Sequence, residues 1–118
     1  MDNPMSNLAT RSNQVRDWFS RTLAGGLILP DGWFGRPHDN VYRLTDVTED
    51  ENSLRIVLDE HLSLTFHGNP SVWDNGNALV IDGYSRLAFD WEEYGSNVSH
   101  ADSYDNGEVK LVAPPSPY

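Results

Sequence analysis

The chain has 118 residues, a formal net charge of −10, no cysteine, and an aromatic set of 4 Trp, 5 Tyr and 4 Phe. That length suits a single domain, and a 38% hydrophobic share is globular, not disordered. The lack of cysteine excludes a disulfide scaffold, a thiolate nucleophile and a Cys-ligated metal, and 18 acids against 8 bases argue against nucleic-acid or anionic-membrane binding.

The expected fold class is α+β and mainly β: an N-terminal amphipathic helix, then an antiparallel meander of about six strands, closed or strongly curled into a sheet or barrel. One domain is expected over 1–118, with the helix at about 7–24, the β body at about 27–112, and a polar, proline-rich tail at 113–118. In the helix, Val15, Trp18, Phe19, Thr22 and Leu23 recur at helical spacing, and Leu8 extends the stripe backwards. Ser6 or Asn7 can cap its start, and Gly25-Gly26 can end it in a left-handed turn. The charge is uneven, since the first 30 residues are near neutral and the β body carries the acidic excess.

Strands are expected near 41–47, 54–59, 62–67, 71–73, 78–82 and 86–91, with one more at 108–112. Leu54, Ile56 and Leu58 alternate with Arg55, Val57 and Asp59. Leu62, Leu64 and Phe66 alternate with Ser63, Thr65 and His67. Leu87, Phe89 and Trp91 alternate with Ala88, Asp90 and Glu92. A period of two with one wet face is the signature of a half-buried antiparallel strand. The links are short, and Asn75-Gly76 is a strong hairpin signal because both positions tolerate positive φ.

Several chemical motifs fail. Gly83–Leu87 starts like a nucleophile elbow but has Leu where the second Gly belongs. Asp102–Gly107 lacks the oxygens of a calcium loop. His61 and His67, on one strand face, stand about 20 Å apart, too far to share a metal. Glu49-Asp50-Glu51 reads as a solvated hairpin tip, or else as a weak cation site or a contact for a basic partner. No catalytic residue, metal ligand or cofactor is assigned.

The densest unusual segment is 29–40, LPDGWFGRPHDN. It is too rich in glycine and proline for regular structure and too aromatic for an ordinary wet loop. It either plugs one end of the sheet or forms a binding site. The site reading combines Trp33, Phe34, Arg36, His38 and Asp39 with Asp90, Trp91 and Tyr94 of the FDWEEY strand end.

The segments GWFGRPHDN and FDWEEYGS, within a span of about 25–112, resemble a family of small uncharacterised actinobacterial proteins. The resemblance implies a self-contained domain of a non-secreted bacterial protein and supplies no catalytic residue. No apolar run is long enough to span a bilayer, and Met1–Gln14 has no signal-peptide core, so a cytoplasmic protein is expected.

The leading functional expectation is a non-enzymatic ligand- or protein-binding domain. Its partner is a second copy or another protein, not a nucleic acid or a membrane. One alternative is a small enzyme or anionic-ligand-binding barrel that uses Arg36 and His38. Another is an acidic partner of a basic protein.

Overall fold

The computed structural model of the protein describes residues 10–22, 24–34, 41–76, 78–92, 99–105 and 107–113. Among the described residues, one helix, α1 (Arg11–Thr22), precedes ten strands. These are β1 (Gly26–Leu29), β2 (Gly32–Trp33), β3 (Leu44–Asp50), β4 (Ser53–Leu58), β5 (Leu62–His67), β6 (Ser71–Asp74), β7 (Ala78–Asp82), β8 (Arg86–Glu92), β9 (Ser99–Tyr104) and β10 (Val109–Val112). The class is the expected one, mainly β within α+β, with the helix at the N-terminal side.

The strand order departs from a simple meander. One five-stranded sheet runs β2-β1-β10-β7-β6 and the other β3-β4-β5-β8-β9, with antiparallel pairing. The β6–β7 hairpin leaves β5 for the other sheet, and Gly83, at φ 73°, turns the chain back so that β8 pairs with β5. The Asp82-Gly83 turn is therefore a passage between sheets and not a hairpin. The two inner faces share one core, which includes Leu27, Leu79, Ile81 and Leu111 from the first sheet and Ile56, Leu64, Phe66 and Phe89 from the second. Each fully buried side chain of this kind contributes about 2–3 kcal/mol through removal of apolar surface from water.

α1 starts at Thr10, whose hydroxyl accepts the N–H of Asn13 at 3.3 Å. Ser6, Asn7 and Leu8 lie outside the described residues. The helix packs on β3 and β6, the edge strands on one side of the two sheets. It buries Val15, Trp18 and Phe19. Arg16 Nη2 donates to the Val47 carbonyl of β3 at 2.7 Å, and Arg21 Nη2 donates to Asp74 at the end of β6 at 3.1 Å. The first of these bonds uses up a main-chain carbonyl of an edge strand that would otherwise invite a further strand.

The expected left-handed role of Gly25 is replaced by another. A Cβ there would lie 2.7 Å from Trp18 Cη2, so glycine is needed for the close approach of the indole. The acidic hairpin tip also differs from a purely solvated turn. Glu49 Oε1 accepts both the N–H and the hydroxyl of Ser12, at 3.0 and 2.8 Å, and Oε2 accepts Arg11 Nε at 2.9 Å. A carboxylate from the hairpin thereby satisfies an orphan donor in the first turn of the helix.

Candidate functional site

The turn from β4 to β5 is a type I′ hairpin made without glycine. Asp59 and Glu60 have φ of 50° and 66°, and the His61 N–H reaches the Leu58 carbonyl at 3.3 Å. Left-handed backbone is costly for such residues, so other contacts must hold it. The start of β3 supplies them. Asp59 Oδ1 accepts the Arg43 N–H at 2.9 Å, and Thr45 Oγ1 accepts the Glu60 N–H at 2.8 Å. Thr45 is free to do this because the β3–β4 register shifts between Leu44 and Asp46, a bulge that sets Thr45 outside the ladder.

Beside this turn a groove of about 340 Å³ crosses the outer face of the second sheet. Its floor follows from the register: Val57 opposes Ser63, Ser63 opposes Asp90, and Asp90 opposes Ala101. Small side chains at 63 and 101 leave a depression between longer ones. Arg55 stands at one wall and donates from Nε to Ser63 Oγ at 3.1 Å. Glu60, Asp90 and Glu92 bring three carboxylates to the same groove. All three residues are exposed, and the Asp90 carboxylate has no hydrogen bond or ion pair among the described residues.

An aromatic cluster adjoins the groove, and its Trp91 and His100 are among the groove's lining residues. Phe34 meets Phe89 and Trp91 edge-on, with centroids 5.0 and 5.1 Å away, and Tyr42 at 6.0 Å. Trp91 and His100, register partners across β8 and β9, stack at 4.2 Å with planes 18° apart. Burial, with a smaller contribution from Asp59, pushes the Tyr42 hydroxyl up to about 12.

The structure brings together three of the residues singled out in the sequence. Phe34 packs directly on Trp91, and Asp90, next in the chain, points to the opposite face and into the groove. Trp33 ends β2 as the register partner of Ile28. Arg36, His38, Asp39 and Tyr94 lie outside the described residues, and the first two are the side chains on which an enzyme reading rests. Phe34 is half-buried against the core.

Arg55, Ser63, Glu60, Glu92 and His100 were not singled out. Their strand parity was readable for Arg55, Ser63 and Glu92, but their convergence depends on β5 pairing with β8, which no local pattern specifies. His61, expected on the strand with His67, sits instead in the turn, with Nδ1 against the Asp59 carbonyl. Among the described residues no group of three or more His, Asp or Glu side chains is arranged to hold a metal ion, and no helix is long and apolar enough to cross a membrane.

No family model, curated protein or solved structure matches the chain.

Proposed function

We propose that the chain is a non-enzymatic binding domain whose outer-face groove receives a basic side chain of a protein partner. The observation that carries this reading is the charge of the groove, where Glu60, Asp90 and Glu92 face a single guanidinium, Arg55. Arg55 is already directed to Ser63 at 3.1 Å, which leaves the carboxylates to an incoming cation. The net charge of −10 favours the approach of a basic partner at long range. The strained Asp59–Glu60 turn supports the reading as well, because its backbone holds Glu60 at the rim at an energetic cost.

A lysine-containing peptide is a suitable probe. Binding should weaken about fivefold or more in Asp90→Asn and in Glu92→Gln, as expected when one partner of an ionic contact is neutralised. Glu51→Gln, at an exposed hairpin position, removes the same charge elsewhere and should leave binding nearly unchanged. Equal loss in all three variants would reduce the groove to a share of the general acidic field and overturn the reading. Salt should weaken binding in every case.

A further inference from the structure

A second groove, of about 440 Å³, lies between α1 and the bulged start of β3 and shares no lining residue with the first. Its lining reverses the character of the chain. In a protein with 18 acids and 8 bases, this groove holds two arginines, Arg16 and Arg43, and one carboxylate, Asp46. Among the described residues neither arginine has a carboxylate partner, whereas Arg11, Arg21 and Lys110 each have at least one. Arg16 spends one nitrogen on the Val47 carbonyl, at 2.7 Å, which fixes the plane of its guanidinium. Arg43 holds the Asp59 turn through its main chain, and its guanidinium bonds no other group among the described residues.

A third donor is present. Thr45 Oγ1 accepts the Glu60 N–H at 2.8 Å, so its own proton remains to be donated, and Thr45 lines the groove. Phe19 and Leu44 supply an apolar wall. Two guanidinia and a hydroxyl around one space are a donor set for a tetrahedral oxyanion, and the apolar wall suits an organic group attached to it.

We propose that this groove binds the phosphoryl group of a small-molecule phosphate, held by Arg16, Arg43 and Thr45. The site is independent of the carboxylate-lined groove and would stand if the basic-partner reading fell. Asp46 opposes the bound charge, so its neutralisation should strengthen binding while loss of either arginine weakens it.

The test is a titration of the full chain with inorganic phosphate, phenyl phosphate and benzoate at fixed ionic strength, followed by backbone amide shifts. Saturating shifts are expected at Phe19, Ser20 and residues 45–47 with both phosphates. Arg43→Gln, which removes a guanidinium with no bond among the described residues, should bind about tenfold more weakly, and Asp46→Asn about two- to fivefold more tightly. Tighter binding of phenyl phosphate assigns an organic phosphate as the ligand, and equal binding assigns the free anion. Shifts that fail to saturate, an unchanged affinity in Arg43→Gln, or benzoate binding as tightly as phenyl phosphate would overturn the proposal.

Discussion

The indole of Trp91 and the imidazole of His100 lie face to face, 4.2 Å apart and 18° from parallel, among the residues that line the carboxylate-bearing groove. The other neighbour of Trp91 is Phe34, which meets it edge-on at 5.1 Å. The half-buried Trp91 therefore anchors the end of β8, while Asp90 presents its carboxylate to the groove. Trp91→Ala should cost about 2–3 kcal/mol in urea unfolding, less than for a wholly buried tryptophan. A double-mutant cycle with His100→Ala should give a coupling of about 0.5–1.5 kcal/mol, and no coupling would mean that the stack is adventitious.

Glu49 ties the acid stability of the molecule to the helix. Burial pushes its carboxyl up, but the hydrogen bonds from the Ser12 main chain and hydroxyl, followed by Arg11, outweigh that and hold it below the usual carboxylate range. A carboxylate with a lower pKa folded than unfolded contributes fully above its unfolded pKa, and the contribution fades as pH falls through the folded value. Glu49→Gln should therefore lower stability by about 1–2 kcal/mol near neutrality. The gap from the wild type should close in the acid range below about pH 4. Urea midpoints at several pH values measure this, and a gap constant with pH would contradict it. Asp74, held low by the Gly76 N–H and then by Arg21, should preserve part of the acid slope in the variant.

Glu60 occupies left-handed backbone at φ 66°. Replacement by glycine removes that cost and adds some chain entropy to the unfolded state, for a net gain of about 0.5–1 kcal/mol. The same change removes a rim carboxylate. Glu60→Gly should thus be more stable in thermal unfolding and a weaker binder of the lysine probe, a pairing expected where strain serves a site.

Tyr84 is 4% exposed and its buried hydroxyl has no hydrogen-bond partner among the described residues. Burial, then the fields of Asp82 and Glu108, push that hydroxyl up to about 12. The ring itself is well placed, edge-on to Phe66 at 5.3 Å. Tyr84→Phe keeps the ring and removes the unpaired oxygen, so it should stabilise the fold by about 1 kcal/mol. A loss of stability in the same measurement would show that the hydroxyl has a partner in solution.

Local pattern carried the strands from Ser53 to Glu92, since the alternations of Leu54–Leu58, Leu62–Phe66 and Leu87–Trp91 are those of strands with one buried face, whereas β3, expected at 41–47, runs Leu44–Asp50. β9, SHADSY, was hidden because only positions 100, 102 and 104 share the inner parity of Trp91, Phe89 and Leu87, and one of those is an aspartate. β1 has four residues, too few for a period. The division into two sheets was not legible, because Gly83 reads locally as one more hairpin turn.

Part of the candidate site was visible, as Phe34 and Trp91 stood out by composition and do meet. Glu49 and Thr45 were misjudged or unremarked because their roles come from partners 37 and 15 residues away in the chain.

The central claim is that the groove over Ser63, Asp90 and Ala101 takes the positive charge of a partner. Amide chemical-shift mapping during titration with a lysine-containing peptide tests it most directly. The account predicts that the largest shifts fall at Ser63, Asp90, Glu92 and Ala101, and that they collapse in Asp90→Asn. Shifts centred instead on Asp82 and Glu108, which line another groove beside Pro30, would contradict it.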